Sequence, residues 1–303
     1  MTTHHALLGL FTETSLHAGS GQSLGVIDLP IQREAHTHWP CVYGSAVKGA
    51  LRARAEAAKL ENVDLIFGQA DFKAGEASEF AAALAVGDAR LLLLPVRSLT
   101  GHFRWVTCPA ALRRFQRDAS RLGLDTLAKF AIPDIADEET AQVATAVAGD
   151  ALFLEEYRVN TVVAELAGLI EALSQLMPDS LKEPLKNQLT LVHDDLFRHL
   201  AEHATPVTAH VRLDARKTVA KGALWYEETL PPETLLYTVL NATDARKKDS
   251  NLKADAVIRC VRDGLFKPHP YLQMGGNETT GMGWCRVQCI DTLNDSPNDS
   301  QGA

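Results

Sequence analysis

The sequence predicts an α+β protein: a ferredoxin-like (RRM-like) core with a helical insertion and a protruding β-hairpin. Three observations predict it. The first third of the chain reads strand, helix, strand, strand. The C-terminal part reads strand, helix, strand, so that the two ends together give β-α-β-β-α-β order. Between them lie a mostly helical stretch and a long alternating hairpin.

Residues 7–13 are apolar enough for a first strand. Residues 45–60 are Ala-rich, open on Ser45 as an N-cap and mix apolar with basic residues, which predicts a helix. Residues 85–96 and 103–107 are two strands separated by 97–101. Residues 110–122, 161–177 and 181–203 carry helical patterns, broken by Pro133 and Pro178. Residues 207–228 read as a hairpin with Gly222 near its turn. A strand at 234–240, a helix at 251–264 stopped by Gly264, and a strand at 283–290 complete the core. The core is thus assigned to 1–108 and 234–290, the helical insertion to 109–205 and the hairpin to 206–233. The polar residues 291–303 form a flexible tail.

With 303 residues, 46% hydrophobic and 22% charged, the chain has the makings of a sizeable core. No run approaches the roughly 18 apolar residues of a membrane span, and the start Met-Thr-Thr-His-His lacks the basic region of a secretion signal. Five scattered cysteines, an odd number, point to a reducing cytoplasm. The close pair Cys285 and Cys289 lacks two partners for zinc. A net charge of -8 opposes nucleic-acid binding through the bulk field, so any such role needs basic residues gathered locally.

The candidate chemistry begins at Asp28. It lies in a glycine-punctuated loop, with His17, Gly19 and Gly21 before it and Leu29-Pro30-Ile31-Gln32-Arg33 after it. The loop leads to Gly44-Ser45-Ala46-Val47-Lys48-Gly49-Ala50-Leu51-Arg52, the start of a basic helix. A helix N-terminus is an anion site, and Lys48 and Arg52 stand one turn apart on one face. The bland alternative is a capped helix with a solvated basic face. An acid on a loop beside a phosphate-binding helix is a sensible layout for cutting RNA.

Gly275-Gly276-Asn277-Glu278-Thr279-Thr280-Gly281-Met282-Gly283 is a second glycine-rich loop. Interleaved hydroxyls and free backbone N–H groups suit a sugar-phosphate chain; taken alone, the stretch reads more readily as a tight turn between strands. It fits neither a dinucleotide nor a P-loop pattern. Asp195, His199 and His203 share a helical face with His193 nearby, but the His-Glu-x-x-His pattern is missing, so a solvated face is the expectation. His36 and His38 point the same way if extended, without a third ligand.

Taken together, these motifs resemble the RAMP superfamily of CRISPR effector proteins, and most of all the repeated backbone subunit of the type III-B (Cmr) complex. The resemblance rests on His17-x-Gly19-x-Gly21, Asp28-x-Pro-Ile-Gln-Arg33, Gly44-Ser-x-x-Lys-Gly-x-Leu-Arg52, the Gly87–Ser98 region, the hairpin from Thr218 to Pro231 and the loop from Gly275 to Gly283. It implies an RRM-like fold and copies stacked in a helical filament on a guide CRISPR RNA, beside other subunits. It also implies a thumb hairpin that displaces one nucleotide of a complementary target RNA at regular steps. Asp28 would then promote cleavage with a divalent cation, Mg²⁺ or Mn²⁺. Splaying a nucleotide lets a 2′-OH align with its leaving oxygen, and one carboxylate can hold a hydrated cation there. His17 is either an acid or base or an orienting group, with an intrinsic pKa of about 6.5. Tyr226 and Glu227 of the hairpin form a second tier: stacking on a base, and reaching the cut from a neighbouring copy. RNA contacts are expected from Gly44, Ser45, Lys48, Arg52, Arg33, Arg97, Gly275, Gly276, Gly281 and Gly283, with Arg54 and Arg104 near the same groove. The alternatives are a non-cleaving guide scaffold and a repeat-RNA ribonuclease using His17.

Overall fold

The computed structural model describes residues 3–69 and 79–293. Its spine is one mixed sheet flanked by helices. The chain enters with β1 (Thr3–Thr12), β2 (Cys41–Val42), α1 (Gly44–Ala57) and α2 (Val63–Phe67). It continues with β3 (Leu84–Val86), β4 (Ala89–Arg97) and β5 (Phe103–Thr107). Next come α3 (Pro109–Arg121), α4 (Asp125–Ala128), β6 (Thr140–Val143), β7 (Ala151–Leu154) and β8 (Tyr157–Val163). Then follow α5 (Ala167–Ser174), α6 (Lys182–Gln188), β9 (Leu189–Val192) and α7 (Asp194–His203). The hairpin is β10 (Val207–Leu213) and β11 (Val219–Glu228). The chain closes with β12 (Leu235–Thr243), α8 (Ala254–Arg259), β13 (Tyr271–Gln273) and β14 (Trp284–Asp291).

Within the sheet, β14, β1, β12 and β4 are neighbours in that order, and every pair among them is antiparallel. With α1 after β1 and α8 after β12, this is the 4-1-3-2 arrangement of a ferredoxin-like unit, as the sequence predicts. Alternation along β1 sends Ala6, Leu8 and Leu10 to one core and Leu7 and Phe11 to the other. The first core is closed by α1 and α8, through Val47, Leu51, Val257 and Ile258. The second is closed by α3 and α5, through Leu112, Phe115, Leu169 and Leu173.

The stretch 109–205 differs from its purely helical expectation. It carries β6, β7, β8 and β9, which extend the sheet beyond β5 in the order β9, β6, β8, β7. Residues 157–163 pair with β6 and β7, their β-branched content prevailing over the helical pattern that follows. Residues 189–192 are buried on both faces, and a short, mostly apolar run of that length does not distinguish strand from helix.

Smaller differences have equally local causes. Tyr43, not Ser45, is the N-cap residue of α1, and no side chain caps the helix from that position. Gly264 does not stop its helix: α8 widens into a π-helical turn that runs from Cys260 through Phe266. Gly222 is not at the hairpin turn. It has φ of 70° inside β11, where the register shifts, while Asp214 builds the turn by accepting from the Arg216 and Thr218 amides. These bonds hold the Asp214 carboxyl below its ordinary range. His36 and His38 lie in a turn, His38 with φ of 58°, so the extended geometry is not adopted. Of the tail expected at 291–303, Asp291 instead ends β14, and residues 294–303 lie outside the described residues.

The candidate nucleic-acid interface and catalytic loop

Asp28 is attached to the hairpin. Its Oδ2 accepts from the Tyr226 N–H at 2.7 Å, and the Leu29 N–H donates to the Tyr226 carbonyl at 3.0 Å. The Glu228 N–H then donates to the Leu29 carbonyl at 3.0 Å, so residues 28–29 run as a short parallel strand beside β11. Asp28 stays partly exposed, and its other oxygen has no partner among the described residues. Ahead of it, Leu24 and Val26 project almost wholly into solvent.

The motif after Asp28 is explained residue by residue. Ile31 is buried. The Gln32 amide bridges the loop to the helix start, donating to the Gly19 carbonyl at 3.0 Å and accepting from the Tyr43 N–H at 2.7 Å. Arg33 does not face a groove. Its terminal nitrogens donate to the carbonyls of His38 and Ala201, to Thr205 Oγ1 and to Glu228 Oε1 at 2.5 Å. Glu228 is 3% exposed and also accepts from Thr205 Oγ1 and the Ile31 N–H. A buried carboxylate needs such partners, and Arg33 is spent on supplying them.

His17 is 9% exposed. Its Nδ1 lies 2.8 Å from the Glu228 carbonyl, which makes Nδ1 the protonated nitrogen, and 3.6 Å from Glu227 Oε1. Glu227 is 3% exposed and accepts from Asn277 Nδ2. It points inward, where its carboxylate finds the Asn277 amide. Tyr226 is 44% exposed on the opposite face of the strand.

The glycine-rich loop folds over His17. The Gly276 N–H donates to the His17 carbonyl at 2.8 Å. Gly275 has φ of 78°, and a Cβ there would lie 2.4 Å from the same carbonyl, so no other residue fits. Gly283 is buried with φ of 85°, where a Cβ would meet the Met274 carbonyl. These two glycines have internal reasons to be glycine. Gly281 is exposed with open space around it.

At the start of α1, the Gly44 N–H is taken by Asp88 Oδ1 at 2.7 Å, and a Cβ at Gly44 would strike the Val86 carbonyl. The close approach is to this chain's own backbone, and a carboxylate already occupies part of the anion site. Ser45 is exposed. Arg52 is an internal clamp from α1 to α2, donating to Glu56, Asp64 and the Gly68 carbonyl. Arg97 is exposed but pairs with Glu155. Arg104 is 6% exposed, bound to Thr190 Oγ1, and its pKa is lowered to about 10 by desolvation.

That leaves Lys48 and Arg54 as the cations of α1 without a carboxylate partner among the described residues. Lys48 is partly buried with no carboxylate partner among the described residues. Burial, then the Arg52 charge, pulls its pKa down. Arg54 leaves the helix on the other flank, about 120° away, and its Nε is buried without a partner. It lines a groove of about 540 Å³ between the small-residue face of α1 (Ala46, Gly49, Ala50, Ala53), Met274, Gly275 and Trp284.

The metal alternatives fall apart on geometry. Cys285 and Cys289 are four residues apart on β14, roughly 13 Å of strand, and burial pushes both thiols up to about 12. His199 Nε2 bonds to Tyr157 Oη at 2.7 Å and its ring leans on His203. Asp195 instead lies with His193 and Glu138, close enough together to share an ion. That group sits at the N-terminal, positive end of α7, which disfavours a cation.

What the sequence did not single out is Asn277, Glu228 and Asp88. Each is a polar side chain satisfying a group far away in the chain, a relation that no local pattern signals.

Comparison with known proteins identifies the family and the fold. The RAMP superfamily pattern matches residues 10–286. The chain is 37% identical over 295 residues to the CRISPR system Cmr endoribonuclease Cmr4 of Pyrococcus furiosus, covering 95% of this chain and 96% of that one. The crystal structure of oligomeric Cmr4 from Pyrococcus furiosus superposes with a TM-score of 0.74 at 29% identity, covering 97% of this chain and all of the other. A subunit of the type III-B Cmr-beta complex bound to cognate target RNA, solved by cryo-EM, shares the fold at a TM-score of 0.69 and 22% identity, covering 95% of this chain and 97% of that one. The chain belongs to the RAMP superfamily, and within it to the Cmr4 group of CRISPR endoribonucleases.

Proposed function

We propose that this protein is the backbone subunit of a type III-B effector, stacking along a guide RNA and cutting the paired target RNA beside Asp28 with Mg²⁺ or Mn²⁺. The observation that carries the assignment of the cut is Asp28 itself. One carboxylate oxygen is fixed by the Tyr226 N–H and the other has no partner among the described residues, at the foot of an exposed hairpin.

The hairpin supplies the other requirement. Its face formed by Val211, Leu213, Val219, Leu224 and Tyr226 is exposed and apolar, which suits a wedge against displaced bases. Lys48, Arg54 and the exposed backbone at Gly275 and Gly276 suit a sugar-phosphate chain crossing the palm. Positive charge is thus local, in keeping with a net charge of -8. Weak, salt-dependent binding by a single copy follows.

A single carboxylate oxygen is a sparse donor set for a cation. Mg²⁺ accepts such a set when substrate phosphates and water complete its shell, so the residues fit a site finished by RNA. When bound, the cation supplies Lewis acidity at the scissile phosphate. Asp28 holds its position, and the hairpin presents a nucleotide whose 2′-OH is free to align. The Glu228 carbonyl holds the Nδ1 proton of His17 and leaves Nε2 as its accepting nitrogen, so only the burial of the ring, 9% exposed, counts against His17 as the base.

The test uses the reconstituted complex, a guide and an end-labelled complementary RNA, comparing wild type with Asp28→Asn in Mg²⁺ and in EDTA. Evenly spaced cuts, lost at least ~100-fold in the variant and in EDTA with target binding intact, are expected. Cuts that persist in Asp28→Asn refute the assignment.

A further inference from the structure

We propose that Asn277 is a positioning residue for cleavage: its amide holds the buried Glu227 carboxylate and thereby fixes the β11 backbone on which Asp28 hangs. The inference rests on the reading of Asp28 given above and deepens it.

The geometry forms a continuous path. Asn277 Nδ2 donates to Glu227 Oε1. Glu227 lies between Tyr226, whose N–H and carbonyl hold Asp28 and Leu29, and Glu228, whose N–H and carbonyl hold Leu29 and His17. All three residues belong to one stretch of β11, so tilting Glu227 tilts every anchor of the catalytic loop.

Asn277 is itself built for this task. Its backbone is left-handed, with φ of 61°, a conformation that Asn tolerates better than most residues. Its carbonyl accepts from the Thr280 N–H and hydroxyl and from the Met282 N–H. The neighbouring Gly276 N–H is bonded to His17. The loop is therefore anchored on both sides of a side chain aimed at Glu227. Among the described residues, the nearest ionisable group of opposite type to Glu227 Oε1 is the His17 ring, with Nδ1 at 3.6 Å. Removing the amide donor strands a carboxylate that is 3% exposed.

Asn277→Asp is the cleanest probe. It keeps the shape and the tolerance for a left-handed backbone, and only replaces a donor by a second carboxylate. In the assembled complex, single-turnover cleavage in Mg²⁺ should slow on the order of 30-fold, while guide and target affinities stay within about twofold. Asn277→Asp combined with Glu227→Gln restores the hydrogen bond with its direction reversed, and should regain about tenfold over the single variant.

Wild-type cleavage by Asn277→Asp overturns the proposal. So does a loss of guide affinity matching the loss of rate, which would mark Asn277 as a structural or RNA-contact residue. So does the absence of rescue in the double variant. Asp28→Asn run in parallel separates the two claims. If it cleaves normally, the Asp28 reading fails, and the rescue then decides whether Asn277 still acts through Glu227.

Discussion

The two ends of the hairpin obey different rules. At its base, Glu227, Glu228, Thr229 and Leu230 are buried and every carboxylate there has donors. Toward its tip, Val211, Leu213, Val219 and Leu224 are each about half exposed on one face. Cross-strand pairing puts them together, Val211 with Leu224 and Leu213 with Val219. On the other face Trp225 stacks on His210, and the ring nitrogens Nε1 and Nε2 are buried without partners. The base resembles a domain core, where mispairing is costly. The tip resembles an interface awaiting its partner, since a lone two-stranded ribbon is marginal in water. One strand, β11, thus serves as anchor at one end and as probe at the other.

The sharpest way to break the contrast is at the base. Arg33→Met removes the guanidinium from Glu228 and leaves its carboxylate buried and unpaired, a loss of about 3–5 kcal/mol. The melting temperature of the isolated subunit should fall by roughly 5–8 °C. Adding Glu228→Leu, which removes the stranded charge, should recover much of the loss. A melting temperature unchanged by Arg33→Met would mean that the base is no better anchored than the tip.

A second prediction has opposite signs in the two states of the protein. Lys48 is a partly buried cation whose pKa is lowered by burial and by Arg52. A cation with a depressed pKa is costly to fold while protonated, so Lys48→Met should leave the free subunit as stable or slightly more stable near neutral pH. In the complex, the proposed role of Lys48 makes the same change the loss of one phosphate contact. Guide affinity should fall by about 1 kcal/mol, and the slope of log K against log salt should shrink by about one unit. Lower stability with unchanged salt dependence would make Lys48 an internal residue like Arg52.

These contrasts also show what a sequence can reveal. The strand–helix order of the core was legible because alternation and Ala-rich helical patterning are local signals, and both flank the ferredoxin-like unit. Asp28 stood out by its loop, and His17, Tyr226 and Glu227 by resemblance; across about 200 residues of sequence the fold brings Asp28 onto the Tyr226 backbone and His17 beside Glu227. Charge was the misleading signal. Arg33, Arg52 and Arg104 look like RNA contacts in the sequence, yet the first two are held by carboxylates and backbone carbonyls and the third is buried on Thr190. A sequence displays a guanidinium but not the partner that consumes it. The strands at 157–163 and 189–192 were hidden for a related reason, since their partners are β6, β7 and β5, set by tertiary pairing.

The smallest expected effect tests the tip. Substituting Leu213, Val219 and Leu224 together with Ser or Thr (Leu213→Ser, Val219→Thr, Leu224→Ser) should change the melting temperature of the free subunit by no more than about 1 °C, because exposed apolar side chains contribute little to folding. At the base, Leu230→Ala alone should cost about 2–5 kcal/mol, since Leu230 is 1% exposed. The triple variant should reveal itself only once RNA and neighbouring copies are present, as slower cleavage at normal Asp28 geometry. If it melts several degrees lower on its own, the tip packs against the subunit's own body in solution. The hairpin would then be a single folded element rather than an anchor joined to a probe.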